Sequence, residues 1–313
     1  MKCTTCQEDC KRFGKNRNGS QRWRCADCGK TYSEAPQNRA NGFYLDKDKM
    51  VMICNLLVEG VSIRSIERIT GTHRDTILKV LVHAGEKCAA LMGRLIVNVP
   101  VKDVECDEIW GFIGKKEKRV QPEDDQNLGD AYTFVAIERN TKLVLNFALG
   151  KRNQATTDIF IEGLRDAIAP THDKFQITTD GFIPYIESIK TTLGHRVDFA
   201  RLIKVYGNSE AEGRYSPGEV VSTEVVPVIG NPDPRRICTS IVERQNLTMR
   251  MQMRRLTRLS NGFSKKWENL WAALCLHFAH YNFVRIHRSL RVTPAIEAKI
   301  TDTVWTMRDL LNS

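Results

Sequence analysis

The chain has 313 residues, of which 42% are hydrophobic and 27% are charged. This composition is typical of soluble globular proteins and excludes a mainly disordered chain. No apolar run approaches the roughly 18 residues that a membrane helix needs, and the first residues lack the apolar core of a signal peptide. We therefore expect a soluble, cytoplasmic protein.

The basic residues are concentrated in one part of the sequence. The formal net charge is +10 and the pI is about 9.1. Between Arg244 and Arg291 there are ten basic residues and one acidic residue, Glu268. This density favours a nucleic acid partner, because neutralising phosphates releases counterions. The alternative is an ordinary solvated helix face.

Four cysteines near the start form two C-x-x-C pairs, Cys3/Cys6 and Cys25/Cys28, with 18 residues between them. Pairs at this spacing can place four thiolates tetrahedrally around Zn²⁺. A segment this short cannot close a hydrophobic core, so the metal would supply its folding free energy. We predict a structural zinc ribbon over residues 1–36; Cys10 is a nearby fifth thiol that fits neither pair.

Helical patterns follow over residues 49–59 and 62–69, and Gly60 and Gly71 interrupt them. A third helix is predicted to start at Thr72, with Asp75 in the position of a capping box. We predict a helix-turn-helix DNA-binding domain over residues 37–98. The residues available for DNA contact would be His73, Arg74 and Lys79. The alternative is a three-helix bundle that links domains or dimerises.

From about residue 99 the pattern changes from helical to alternating. The predicted elements are strands 102–113, 131–139 and 142–149, helix 154–169, strand 175–180, helix 184–193, strand 196–206 and a long helix that opens at Ser240. This order predicts an α/β domain with the mixed sheet of ribonuclease H over residues 99–313. The stretch 207–236 matches none of these elements and is predicted to be a loop inserted at about 207–237.

Three acidic residues of this predicted domain are candidates for one site, two from its strands and one from its long helix. Its first and fourth strands are neighbours, so Asp107 and Asp180 would face one another. A site that keeps two such carboxylates ionised normally holds a divalent cation between them. Glu243 adds a third acid from the long helix. Helical spacing places it on one face with Asn246, Arg250 and Arg254, beside the same DNA strand.

Each acid also has an ordinary structural interpretation. Ser240 and Glu243 have the spacing of a capping box. Asp180 precedes Gly181 and is a suitable turn residue. Asp107 lies among Asp103, Glu105 and Glu108, any of which can be the ligand.

The most specific motifs extend over nearly the whole chain. They are C-x-x-C with QRWRCADCGKTYSE, VECDEIWGFIGKK, TTDGFIPYI, SIVERQNLTMRMQMRRLTR with NGFSKK, and YNFVRIHRSL followed by TPA. With these motifs the chain resembles the bacterial insertion-sequence transposases of the IS-one family, which have the Asp-Asp-Glu site of retroviral-type integrases. The stretch 207–236 has no counterpart that we can match.

The resemblance implies a DNA transposase that binds the terminal inverted repeats of an insertion sequence and cleaves and transfers DNA strands. It implies Asp107, Asp180 and Glu243 as ligands of two Mg²⁺ (or Mn²⁺) ions, and His287 as a DNA contact. It further implies double-stranded DNA as partner, at both transposon ends and target, a homo-oligomer, and a nucleoid-associated prokaryotic protein. The alternatives are a non-catalytic zinc-ribbon and helix-turn-helix regulator derived from a transposase, and a ribonuclease or junction resolvase with the same fold.

Overall fold

The computed structural model describes residues 1–16, 19–33, 43, 45–170, 173–206 and 220–313. The chain divides into two compact units, an N-terminal unit over Met1–Met52 and a body over Ile53–Ser313. Among the described residues, no helix has the length and apolar character needed to cross a membrane.

The N-terminal unit contains a small antiparallel sheet. Its strands are β1 (Cys10–Lys15), β2 (Gln21–Cys25) and β3 (Thr31–Ser33), in that order. Cys10 lies opposite Cys25 in the β1–β2 register. Its buried residues are Cys3, Cys10 and Cys25, with Trp23 and Tyr32 packed against them. Since this core is so small, apolar burial alone provides little folding free energy.

Three helices follow, as the sequence predicts: α1 (Lys47–Val58), α2 (Ile63–Thr70) and α3 (Arg74–Leu95). Gly71 ends α2 in the left-handed conformation with φ of 64°, which costs a glycine no steric strain. The prediction that Thr72 starts α3 is wrong. Thr72 is buried, and His73 is the N-cap, its Nδ1 accepting a hydrogen bond from the Asp75 amide at 3.3 Å.

The body is built on one mixed six-stranded sheet. Its strands are β4 (Asp103–Ile113), β5 (Gly129–Glu138), β6 (Val144–Gly150), β7 (Phe175–Thr179), β8 (Val197–Tyr206) and β9 (Val220–Ile229), arranged β6-β5-β4-β7-β8-β9. β4 pairs antiparallel with β5 and parallel with β7. The predicted adjacency of the first and fourth strands of this domain is therefore confirmed.

The prediction of a loop at about 207–237 is wrong for residues 220–229. Residues 220–229 form β9, which pairs antiparallel with β8 at the edge of the sheet. Valine at positions 220, 221, 225, 226 and 228 is the signal for this strand, since β-branched residues favour extended backbone. Residues 207–219 of the predicted loop lie outside the described residues.

The remaining helices of the body are α4 (Gln154–Ala167), α5 (Pro184–Thr192), α6 (Ser240–Gln252), α7 (Trp267–Ala279), α8 (Pro294–Glu297) and α9 (Met307–Asn312). α6 is shorter than predicted, because Met253 adopts extended backbone and Arg254–Leu256 form a separate 3₁₀ turn. Leu256 is buried against β4, where a Cβ at Gly111 would lie 3.0 Å from its Cδ2. This packing redirects the chain away from the helix axis.

The core lies between the sheet and its helices. Phe134 of β5 packs against Phe160 of α4 and Tyr185 of α5, with ring centroids 5.7 and 6.3 Å away. α3 packs against α7 so closely that a Cβ at Gly85 would lie 2.5 Å from Ala272 Cα. The predicted helical segment after Gly71 is thus part of the same compact unit as the sheet.

A π-helical turn, His280–Val284, extends α7 and brings Asn282 to edge strand β6. The Asn282 side chain accepts a hydrogen bond from the Val144 amide at 3.0 Å and donates one to the Val144 carbonyl at 2.9 Å. Asn282 is fully buried. Its amide therefore satisfies both backbone groups of one residue at the sheet edge.

Candidate active site

Asp107 and Asp180 meet because β4 and β7 are parallel neighbours. Glu105 of β4 lies opposite Thr178 of β7, so each aspartate lies two residues beyond this pair. Carboxylate oxygens of Asp107, Glu108 and Asp180 all lie within 4.8 Å of one another. We name these three residues the acidic cluster. It brings together two of the three acids that the sequence predicts, and it adds Glu108.

The acidic cluster disfavours its own ionisation. Burial of the carboxyl group and the charge of Asp180 raise the pKa of Asp107 to about 7. Burial and the same aspartate raise the pKa of Glu108 to about 8. Both effects penalise the charged form, since carboxylates in a low-dielectric environment lose hydration and repel each other. A cation bound between them would remove this penalty.

Arg152 lies against the acidic cluster. Its Nη2 is 3.4 Å from both Glu108 Oε2 and Asp180 Oδ2. The guanidinium stacks over the Phe182 ring, with its carbon 4.0 Å from the centroid. One guanidinium therefore offsets part of the negative charge of the cluster. Oε1 of Glu108 is buried and has no hydrogen-bond partner among the described residues.

Asp180 also has the structural role that its sequence allows. Its Oδ1 accepts a hydrogen bond from the Phe182 amide at 2.9 Å, which forms the turn after β7. Arg201 of β8 donates to the Gly181 carbonyl in the same turn. The turn thus fixes Asp180 so that its second oxygen, Oδ2, faces Arg152.

Glu105 positions the helix that carries Glu243. Its buried Oε2 accepts hydrogen bonds from the amides of Ile241 and Val242 at 2.8 and 3.0 Å, in the first turn of α6. Burial raises the pKa of Glu105, and these amides oppose that rise. A carboxylate is favourable here because the first amides of a helix have no intrahelical partner and carry partial positive charge. Glu105 thereby joins β4 to α6.

Glu243 lies outside the acidic cluster. Its carboxylate accepts hydrogen bonds from Lys204 of β8 and from Thr239, which is the N-cap of α6. The capping box between Ser240 and Glu243 is not formed, because Ser240 is already inside the helix. The charge of Glu243 nevertheless contributes to the raised pKa of Asp107. The structure therefore places Glu243 near the cluster but pairs it with a lysine.

The polar face of α6 that the sequence predicts is formed in part. Asn246 lies one turn after Glu243, and its Nδ2 donates to Asp107 Oδ2 at 2.8 Å. Arg250 follows one turn later and donates to the Leu256 carbonyl at 3.3 Å. Arg254 is beyond the end of α6 and is exposed, so it does not share this helix face.

His287 lies in the segment after the π-helical turn. Its Nδ1 is 3.0 Å from Ser289 Oγ. Burial lowers the pKa of His287, and the positive charges of Lys142, Arg285 and Arg244 lower it further. His287 therefore lies near three cationic side chains, and its role as a DNA contact stays a prediction.

The four predicted zinc ligands converge in the N-terminal unit. Sγ atoms of Cys3, Cys6, Cys25 and Cys28 all lie within 4.8 Å of one another, and Cys3–Cys28 and Cys6–Cys25 are 3.5 and 3.4 Å apart. A tetrahedral ion with bonds of about 2.3 Å to sulfur needs sulfur atoms about 3.8 Å apart. The donor set therefore fits Zn²⁺.

The predicted DNA contacts of the helical segment are exposed. His73, Arg74 and Lys79 all lie on the solvent side of α3 or at its start. Arg74 also donates its amide to Glu67 of α2 at 3.0 Å. The three side chains are thus accessible, which a role in DNA binding requires.

The sequence offers Glu105 and Glu108 only as alternatives to Asp107, and it gives no signal for Arg152. Strand alternation places Glu108 on the face opposite to Asp107. β7 ends at Thr179, so side chains from both faces of β4 can reach Asp180 around the open strand edge. The signal for Glu105 is its burial-prone position in a β-strand two residues before Asp107, where an acidic side chain needs a partner.

In comparisons with known proteins, no protein-family model matches the chain, and no curated protein matches it. The chain is similar to a solved piggyBac transposase synaptic complex with hairpin DNA, with 10% sequence identity and a TM-score of 0.43, over 89% of this chain and 73% of that one. It is also similar to the Mos1 strand transfer complex, with 14% identity and a TM-score of 0.21, over 51% of this chain and 60% of that one.

Proposed function

We propose that this protein is a DNA transposase that cleaves and transfers DNA strands at the ends of an insertion sequence. The observation that carries the proposal is the acidic cluster. Asp107 and Asp180, 73 residues apart in the sequence, meet on neighbouring strands with their oxygens within 4.8 Å of each other and of Glu108. The IS-one-like motifs around these residues supply the class of reaction.

The residues present fit divalent metal ions. Carboxylate oxygens are the ligands preferred by Mg²⁺ and Mn²⁺, and three of them, from Asp107, Glu108 and Asp180, lie within 4.8 Å of one another. Asp107, Asp180 and Glu243 would hold two ions, with Glu243 exchanging Lys204 for the metal. Such ions lower the pKa of an attacking water or hydroxyl and stabilise the leaving oxygen of a phosphodiester.

The other residues of the site would hold and orient the DNA. Asn246 fixes the Asp107 carboxylate. Arg250 and Arg254 would bind phosphates next to the cleaved bond, and His287 would contact the backbone from the segment after α7. Cationic donors near a reacting phosphate stabilise the charge that develops on it.

The N-terminal part of the chain would select the DNA. The zinc ribbon (1–36), with Zn²⁺ on Cys3, Cys6, Cys25 and Cys28, and the helix-turn-helix (37–98), with His73, Arg74 and Lys79, would bind terminal inverted repeats. The catalytic domain would be residues 99–313. Since two ends must be joined, the protein would act as a homo-oligomer, in the prokaryotic cytoplasm at the nucleoid.

The test is cleavage and strand transfer by the full chain. Labelled duplexes taken from the DNA that flanks the reading frame are incubated with the protein and Mg²⁺. Asp180→Asn should lower cleavage by more than the roughly 10–100-fold that residues supporting a metal ligand typically cost, with DNA binding preserved. Asp166→Asn, an exposed aspartate of α4, is the matched control and should cleave like the unchanged protein.

Two results would reject the proposal. Cleavage by Asp180→Asn at the unchanged rate would exclude the acidic cluster as the site. Specific binding of the flanking repeats without cleavage by the unchanged protein in Mg²⁺ or Mn²⁺ would favour the non-catalytic regulator instead.

A further inference from the structure

A large groove lies beside the acidic cluster, along β4. Its volume is about 980 Å³, and it is lined by residues of β4, of the segment after β4 and of the segment after α6. We name it the aromatic groove. β4 pairs with β7 only up to Glu105, and in the described residues no strand pairs with the same edge from 106 to 112. The groove occupies this open edge.

Three half-buried rings form a continuous surface in the aromatic groove. The Phe112 centroid is 4.7 Å from that of Phe263 and 5.7 Å from that of Trp110. The side-chain nitrogen of Lys116 lies 5.6 Å from the Trp110 centroid and 6.0 Å from that of Phe112. Offset rings with a cation over them present flat apolar area and positive charge together.

All charged side chains that line the aromatic groove are basic. Six lysines and arginines line it, and no acidic residue does. Arg250 and Arg255 form no ion pair with any acid of the described residues. Nη2 of Arg255 is buried and has no hydrogen-bond partner there. Within the described part of the chain, Arg250 and Arg255 donate only to the neutral oxygens of Leu256 and Ser264. Buried cations without an anionic partner are costly, and an anionic ligand would lower that cost.

The aromatic groove shares β4 with the acidic cluster, and strand alternation places Trp110 and Phe112 on the same face as Glu108. Trp110 is three residues beyond Asp107 in β4, which is about 10 Å along a strand. Arg250 follows Asn246 by one helical turn, and Asn246 binds Asp107. About 10 Å is spanned by three nucleotides or fewer, since an unpaired strand extends at least the 3.4 Å per nucleotide of a duplex strand. A strand whose phosphodiester lies at the acids therefore reaches the groove within a few nucleotides.

We propose that the aromatic groove binds unpaired nucleotides of the DNA strand beside the phosphodiester that is cut. The inference rests on the proposed function, since it places DNA at the acidic cluster. Aromatic rings stack only on bases whose faces are exposed, so the ligand is single-stranded or has its bases turned out of the duplex. The surrounding lysines and arginines bind its phosphates.

The test is equilibrium binding of the full chain to three fluorescent probes without added Mg²⁺. One probe is a blunt duplex, and the other two are the same duplex with a four-nucleotide unpaired tail at the 3′ or the 5′ end. One tail should bind more tightly than the blunt end. Trp110→Leu should weaken binding of that probe about tenfold, the loss expected for one stacked base, and leave the blunt duplex unchanged.

Four further variants separate base stacking from general effects on DNA binding. Trp110→Phe keeps a ring and should retain most of the tail preference. Lys116→Ala, at an exposed position, should weaken tail binding about two- to fivefold, whereas Lys118→Ala, exposed two residues away and outside the groove, should not. Trp271→Leu, on α7 and outside the groove, should also bind both probes like the unchanged protein.

Equal weakening of blunt and tailed probes by Trp110→Leu would overturn the inference in favour of duplex binding. No change for either probe would exclude the groove as a DNA surface. The two proposals fail separately, because binding needs no cleavage. Tail preference without strand cleavage would reject only the transposase, and cleavage without tail preference would reject only the groove.

Discussion

The cysteine cluster of the N-terminal unit and the acidic cluster of the body each bring ligand atoms within 4.8 Å of one another, but they are assembled differently. The cysteines come in two local pairs within 28 residues, around a core too small to fold on apolar burial alone. The acids come from two strands held in place by a large buried sheet. A metal would therefore hold the first unit together, whereas the body holds the acids together against their own repulsion.

Removing one ligand should be most severe in the N-terminal unit. Structural zinc contributes about 10–16 kcal/mol of apparent binding free energy in small domains. We expect Cys25→Ser to unfold residues 1–52 selectively and to release the zinc. Limited proteolysis and zinc content measure both effects. Cys10→Ser removes a buried thiol that is outside the four-sulfur cluster and should retain the metal; if both variants keep zinc, the comparison fails.

The body should be sensitive instead to residues that hold its elements in register. Glu105→Ala leaves the amides of Ile241 and Val242 buried without an acceptor, which should lower the free energy of unfolding by about 3 kcal/mol. Urea denaturation of the body measures it. Glu105→Gln keeps an oxygen at the same place and should lose less. Equal stability of Glu105→Ala and the unchanged protein would contradict the role of Glu105.

Acid should destabilise the body through its buried histidines. Burial lowers the pKa of His277 to about 3, below the 6.5 expected in the unfolded chain. The unfolded state therefore takes up a proton as the pH falls below about 6.5, and His277 should cost about 2 kcal/mol of stability at pH 5. His277→Gln should lose less stability than the unchanged protein between pH 7.5 and 5. If His277→Gln and the unchanged protein lost the same stability between pH 7.5 and 5, His277 would not be the cause of the loss.

Removing an acid of the body should have the opposite sign to removing a cysteine. Without added divalent cations at pH 8, Asp107→Asn relieves repulsion and the cost of a buried charge, so the free energy of unfolding should rise by about 1 kcal/mol. Mg²⁺ should then stabilise the unchanged protein more than the variant. Thermal unfolding with and without Mg²⁺ measures both. If Asp107→Asn lowered the free energy of unfolding, removing an acid and removing a cysteine would have the same sign, and the proposed difference between the two clusters would be wrong.

The cysteine cluster and the acidic cluster also differ in the sequence signal that predicts them. Cys3, Cys6, Cys25 and Cys28 follow from spacing alone, because two tight turns bring the sulfur atoms together. Strand order predicts that Asp107 and Asp180 meet, because adjacency in a sheet is a property of the topology. These are the parts of the site for which local pattern and fold agree.

The remaining parts depend on side-chain directions and tertiary packing. Glu108 joins the cluster because β7 ends early, and Glu243 pairs with Lys204, a partner that no local pattern indicates. The end of α6 at Gln252 has no proline or glycine to mark it and follows from the burial of Leu256 against β4. The sequence does not predict β9, because its valines lie in a proline-containing segment and proline disfavours strands.

The Asn282 amide has a consequence for the outer edge of β6. An uncovered outer strand offers unpaired amides and carbonyls to any extended segment that approaches it. On edge strand β6, Asn282 pairs with the amide and the carbonyl of Val144. The opposite margin, β9, exposes Val220, Val221 and Val225 by 44, 67 and 43%. Asn282→Ala would leave the amide and carbonyl of Val144 without this partner, and we expect it to promote aggregation.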